Sequence, residues 1–289
     1  MNFDIYEKVT NRIIEELKKG FIPWKKPWTV GGEKVTTNNF KNVAFNRITK
    51  KAYTFLNQML LSKKGEYASF KQWKELGGKI KKGAKAEIIV FWKMHEKISE
   101  DDEEIEIKRI PILKYLSVFH IDDIEGITPL NEEDFKTKEF KPVETAEKII
   151  NDYLQRENIN LFYEGNRAFY NPNLDFIKLP ERFKFKNKIE EFYSTAFHEI
   201  THSTGAKTRL NRLKKTSFFG SEDYSKEELI AEIGACGLLN ILEIESESSF
   251  RNNTAYIQGW LKVLQDDKKL IVTASAQAEK AIKFILNKD

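Results

Sequence analysis

From Asp122 to Glu144 the sequence becomes charged and loses periodicity, and Pro129 and Pro142 fall inside the stretch. A segment of that kind breaks helices and sheets, so it divides the 289-residue chain into two parts, 1–128 and 143–289. Each part is long enough to be expected to bury a core of its own. With 40% hydrophobic and 12% aromatic residues, the chain is too apolar for disorder and too aperiodic for collagen or a coiled coil. No apolar run reaches the roughly 18 residues that cross a bilayer. The opening MNFDIYEKVTNRIIEELKK mixes charge with apolar residues where a signal peptide would be apolar, so a soluble, cytoplasmic protein is expected. The single Cys236 cannot form an internal disulfide, which fits a reducing compartment.

Ile5, Val9, Ile13 and Leu17 recur at helical spacing before Gly20, which predicts an amphipathic first helix. Further short helices are expected near 52–61 and 69–76. The runs AEIIVFWKM and RIPILKYLSVFHI read as two strands, with the acidic SEDDEEIE between them as a solvated hairpin loop. In the second part a helix, ETAEKIINDYLQREN, precedes INLFYEG, RAFYNP and DFIKLP, which read as a small sheet, and the remainder is mostly helical. The fold class is therefore α+β in both parts.

Charge is unevenly placed. Of 48 Lys+Arg and 44 Asp+Glu, residues 1–98 hold 21 and 9, a net +12, which leaves −8 for the rest. A basic first third predicts contact with a polyanion. Proteins that hold single-stranded DNA combine lysines along the phosphates with aromatic faces for the bases, each stack contributing roughly 1 to 3 kcal/mol. Here Trp24 and Trp28 flank Lys25 and Lys26, Tyr53 follows Lys50 and Lys51, and Trp73 precedes Lys79, Lys81, Lys82 and Lys85, with Arg47 nearby. Glycines at 77, 78 and 83 would let backbone amides approach phosphate. The competing reading is that the tryptophans are core and the lysines a solvated face.

The second part carries EEFYSTAFHEITHSTG, in which His198, Glu199 and His202 form the H-E-x-x-H pattern. Residues four apart share one helix face, so two imidazoles can meet one ion while Glu199 stands beside it as a general base. A zinc hydrolase needs a third protein ligand and an open position for water. In YSKEELIAEIGACGLL, Glu228 and Glu232 lie four apart, and the pattern assigns Glu228 to the metal and Glu232 to orienting a histidine. The swapped assignment stays open, and so does Glu227 as ligand. Arg209, Arg212 and Tyr224 are candidate donors to the oxyanion of a transition state. Amide hydrolysis is the implied reaction class, DFIKLP the expected strand edge for a peptide, and Zn2+, one ion per chain, the expected cofactor. Cys236, His95 and His120 read as structural.

Taken together, the residues resemble the ArdC-type antirestriction proteins of plasmids and phages. The resemblance rests on YEKVTNRIIEELKKGFIPWKKPW, ASFKQWKELGGKIKKGAK and YLSVFHIDDIEGI in the first part. In the second it rests on FYSTAFHEITHSTGAKTRLNR, YSKEELIAEIGA and AYIQGWLKVLQDDKKLIVTASAQAEKAI. It implies an N-terminal domain that binds single-stranded DNA and a C-terminal zincin-like metallopeptidase domain, together protecting incoming DNA from restriction. By position it places zinc on His198, His202 and Glu228 and the base on Glu199. The chain departs from the family's usual proline- and glycine-richer pattern at TTNNFKNVAFNRITKKAY, and its acidic hairpin segment looks local to this sequence. Three functional readings follow, the first two being a peptidase acting on a DNA-associated protein substrate and a protein that protects DNA by occupancy with a structural zinc domain. Cleavage of a free regulator is a third.

Overall fold

The computed structural model describes residues 4–25, 40–101, 104–135, 142–185, 188–213, 222–244 and 254–288. The first helix, α1 (Ile5–Lys18), starts where the Asp4 carboxylate accepts from the backbone N–H groups of Tyr6 and Glu7. It ends at Gly20, whose φ of +86° is the left-handed conformation that closes a helix. There follow β1 (Ala44–Asn46), α2 (Phe55–Leu60), β2 (Gly65–Ala68), α3 (Phe70–Glu75), β3 (Lys79–Ile80), β4 (Glu87–Asp101), β5 (Glu104–His120) and β6 (Ile124–Glu125). The reciprocal bonds between Ser69 and Gln72 at the start of α3 make a capping box. Strands β1, β2, β5 and β4 form one sheet in that order, with β1 parallel to β2 and the other pairs antiparallel; β3 and β6 make a separate pair.

The hairpin of β4 and β5 corrects the reading of the acidic run as a loop. Pairing continues from Glu87 opposite Val118 through Ser99 opposite Glu106 to Asp101 opposite Glu104, so most of SEDDEEIE is strand. Alternation decides this. Isoleucines at 98, 105 and 107 keep the period of two that a ladder needs, whatever the charge between them.

The second part begins with α4 (Pro142–Glu157), whose proline occupies the one helical turn where a missing N–H costs nothing. Strands β7 (Asn160–Tyr163), β8 (Phe169–Asn171) and β9 (Phe176–Leu179) then form a sheet in the order β7-β9-β8. The expectation that DFIKLP offers an open edge is overturned: β9 is central, paired parallel with β7 and antiparallel with β8. Four helices complete the part, α5 (Ile189–Ser203), α6 (Glu222–Ile241), α7 (Thr254–Asp266) and α8 (Leu270–Ile285).

The two parts do not bury separate main cores. One cluster joins Val9, Ile13 and Leu17 of α1, Trp24, Phe55 of α2, Val90 and Leu113 of the hairpin, and residues from α4 to α8 as far as Ile285. Trp24, fully buried, meets Trp260 of α7 edge to face at 5.9 Å. Thr10 donates to the carbonyl of Lys268 at 2.7 Å, and Lys268 in turn pairs with Asp4. The physical reason lies in the apolar stripes. The buried stripe of α1 packs against α7 and α8 as well as against α2 and β5, so one helix face is shared between the two parts. Smaller clusters stand apart from it, one joining Phe40 and Phe45 to Phe135 of the connecting segment and another around Trp73, Ile121 and Ile124.

Candidate metal centre

Helix α5 places His198 and His202 one turn apart with their Nε2 atoms 3.1 Å from each other. Two nitrogens held tetrahedrally about 2.1 Å from one ion lie about 3.4 Å apart, so the spacing suits a shared cation. From α6, Glu228 brings Oε1 to 3.5 Å from His202 Nε2 and Oε2 to 3.6 Å from His198 Nε2. Among the described residues this is the one group of three potential ligands that converge. Glu199, between the histidines, is 8% exposed, a carboxylate kept largely from water. The donor set of two imidazoles and one carboxylate fits Zn2+ and equally Mn2+.

Close approach of α5 and α6 makes the convergence possible. Gly234 on α6 lies against Thr201 on α5, where any β-carbon would meet the threonine side chain at 2.6 Å. Thr201 is fully buried and bonds back to the Phe197 carbonyl, so its position is fixed. Beyond α5 the chain turns sharply at Gly205, with Arg212 N–H and Leu213 N–H both donating to the Gly205 carbonyl, and returns beside the helix end.

That return carries Arg209 and Arg212 to opposite sides, and neither is left for an oxyanion. Arg209, 2% exposed, donates to Asp175 at 2.7 and 2.9 Å, to Glu157 at 3.2 Å and to the Ser203 carbonyl at 2.9 Å, which ties α4, the β8–β9 turn and α5 together. Arg212 grips both oxygens of Glu227 at 2.9 Å and donates to Thr204 Oγ1 at 2.6 Å. Both residues are therefore corrected from transition-state donors to structural cations. Tyr224, one turn before Glu228, keeps its hydroxyl on that carboxylate, and burial first, then the negative charge beside it, pushes the phenol up to about 12.

The role given to Glu232 also moves. His202 Nδ1 donates to Glu227 Oε1 at 3.1 Å, so the carboxylate that orients the imidazole is Glu227, while Glu232 sits a turn away, half-buried on α6. The consecutive glutamates were the available signal, since neighbours on a helix diverge by about 100° and address different targets. Burial opposes charge on His202, yet hydrogen bonds to Glu227 and Glu228 hold the imidazole up at about 10. Burial likewise opposes charge on Glu228, and its bonds to His198 and His202 prevail, holding it well below the usual carboxylate range.

Most of the aromatic residues expected to face DNA do not. Trp24 and Trp73 have no exposed surface, because each fills a core, the second with its indole N–H on the Phe119 carbonyl at 2.9 Å. Tyr53 is half-buried against Tyr67, and Arg47 is committed to a shielded ion pair with Glu66. Lys25 ends a short 3-10 turn (Pro23–Lys25), and Lys26 and Trp28 lie outside the described residues. Lys79, Lys81, Lys82 and Lys85 are exposed, with Lys81 donating to the Asp122 carbonyl at 2.6 Å. The sequence reading did not single out the exposed aromatic residues of the hairpin. Phe91, Trp92 and Tyr115 are each 44% to 47% exposed, and Phe91 stands opposite Lys114 on one face with exposed Lys93 two residues on. Strand alternation was the signal for that face. His120 is buried with Nε2 at 2.8 Å from the Lys64 carbonyl, and Cys236 lies in the core of α6; His95 is exposed on the hairpin.

Residues 145–277 match the family of zincin-like metallopeptidase domains, and residues 3–119 match the N-terminal domain of the anti-restriction factor ArdC. The metal-free crystal structure of the antirestriction protein ArdC from plasmid R388 is 31% identical, covers 99% of this chain and 100% of its own, and superposes with a TM-score of 0.71. The chain belongs to the ArdC family of antirestriction proteins. Its two-part α+β architecture is that of the family, an ArdC N-terminal domain joined to a zincin-like domain. A Mn(II)-bound structure of the same R388 ArdC matches at 30% identity over 99% of this chain and 98% of its own, with a TM-score of 0.71. Two DNA primases TraC of Escherichia coli are 33% and 32% identical over 97% of this chain, which spans only 27% and 20% of their lengths. Protein y4eC of Sinorhizobium fredii is 28% identical over 96% of this chain and 89% of its own. No described helix of this ArdC-family chain is long and apolar enough to cross a membrane.

Proposed function

We propose that this ArdC-family protein binds single-stranded DNA with residues 1–128 and hydrolyses peptide bonds, in a DNA-associated protein, with residues 143–289. The observation that carries the second half is the meeting of His198, His202 and Glu228 around one point with Glu199 beside it. A divalent cation, Zn2+ or Mn2+, would supply Lewis acidity and lower the pKa of a bound water. His198, His202 and Glu228 would hold it. Glu199 takes the proton of the attacking water and later returns it to the leaving amine, a task suited to a carboxylate shielded from solvent. Tyr224, protonated at neutral pH, could serve as an oxyanion donor on this reading only by turning its single O–H away from Glu228.

For DNA, the supporting features are the exposed lysines of the turn at 79–85 and the hairpin face on which Phe91 and Lys114 are neighbours. On this reading the protein works in the cytoplasm. The test is Glu199→Gln. It should keep metal and DNA binding while cleavage of a protein bound to single-stranded DNA disappears; retained cleavage would overturn the assignment. Phe91→Ala with Lys114→Glu should weaken single-strand affinity at least ten-fold, and unchanged affinity would remove the hairpin from the interface.

A further inference from the structure

Glu227 and Glu228 are consecutive, equally acidic and both within reach of the histidines, yet they do different things. Glu228 turns both oxygens toward the two Nε2 atoms, and Glu227 accepts from His202 Nδ1 on the far side of the same ring. Something must keep Glu227 there. Its side chain is 11% exposed, and a shielded carboxylate with no fixed partner would be drawn to any cation at the site.

The geometry points to Arg212 as the positioning residue that divides the work between the two glutamates and so sets how tightly the centre holds a divalent cation. Its guanidinium meets Glu227 edge to edge, Nε on Oε2 and Nη2 on Oε1, both at 2.9 Å. The same group is anchored from behind by Thr204 Oγ1 at 2.6 Å and by the carbonyl of Thr201, one of the end carbonyls of α5. Arg212 is 8% exposed, so these charge-assisted bonds are shielded from water. Only a planar fork satisfies two carboxylate oxygens, a hydroxyl and a carbonyl together, and a lysine ammonium in its place could not. The chain Thr204–Arg212–Glu227–His202 has two consequences. It fixes the hydrogen of His202 on Nδ1, leaving the Nε2 lone pair for the cation, and it neutralises Glu227 so that Glu228 alone of the pair is offered as a ligand.

This inference rests on the metal-centre reading, and its experiment separates the two. Mn2+ is titrated into the full-length chain and free ion is followed by electron paramagnetic resonance, for wild type, Arg212→Met, Arg212→Lys, Glu227→Gln and the Arg212→Met/Glu227→Gln double variant. Each single substitution should weaken Mn2+ about 10- to 100-fold, as loss of a partner behind a ligand does. Arg212→Lys should recover little of this. The double variant should be within about three-fold of the weaker single, because the arginine acts through the glutamate. Penalties that multiply, or wild-type affinity in Arg212→Met, would overturn the inference while leaving the centre intact. Should Arg212→Met not fold, Glu227→Gln and Arg212→Lys carry the test, and wild-type affinity in both overturns it. A wild-type chain that binds no Mn2+ would instead overturn the centre itself.

Discussion

Thr201 on α5 and Gly234 on α6 touch with no room for a methyl group between them. Gly234 is seven residues beyond Glu227, two turns along the same face of α6, so the contact sets how near both glutamates come to the histidines.

Gly234→Ala should therefore do more than cost packing energy. The added carbon meets Thr201 at 2.6 Å, and overpacking of a fixed contact destabilises by about 1 to 3 kcal/mol. Because relief requires α6 to move outward, divalent-cation affinity should fall along with thermal stability. Melting curves with a parallel Mn2+ titration check both, and lowered stability with unchanged affinity would show that α6 yields elsewhere.

Trp24 gives the second prediction. As a base-stacking residue its removal would spare stability, but it is fully buried against Trp260. Trp24→Ala should cost about 3 to 5 kcal/mol, the range for truncating a core aromatic. Chemical denaturation measures it directly. By the same logic, residues 143–289 expressed alone should lack a cooperative thermal transition, since α1 and Trp24 cover the inner faces of α7 and α8.

The Arg209 clamp predicts a pH signature. Burial works against the charged form of Asp175, but hydrogen bonds from Arg209 and Tyr170 prevail and hold the carboxyl below its ordinary value. A carboxyl lowered by folding stabilises fully above its unfolded pKa, near 4, and that contribution disappears as pH falls through the folded value. Asp175→Asn should accordingly be less stable than wild type at pH 6, with the gap closing as pH falls below the unfolded value and through the lowered folded one. A gap independent of pH would mean that the carboxylate charge contributes nothing there.

How much of this was legible in the sequence follows from the range of each interaction. The neighbouring of His198, Glu199 and His202 is a property of one helix turn, so spacing alone places them, and the every-fourth-residue recurrence of Ile5, Val9 and Ile13 places α1 in the same way. The pairing of β4 with β5 was readable in outline, and its continuation through the acidic run was lost because charge was weighed above alternation. Burial of Trp24 and Trp73 could not be read locally: the indole of Trp73 turns inward to the Phe119 carbonyl of β5, and that of Trp24 to Trp260 of α7, both far away in sequence. Glu227, Arg209 and Arg212 depend on how α5, α6 and the return after Gly205 pack, which no periodicity encodes.

The most direct test of the central claim is the metal content of the full-length protein after Zn2+ loading and exhaustive dialysis, compared with His202→Ala, Glu228→Ala and Glu232→Ala. The account predicts one ion per chain in wild type and in Glu232→Ala and none retained when His202 or Glu228 is lost. Full retention by Glu228→Ala, or loss confined to Glu232→Ala, would contradict it.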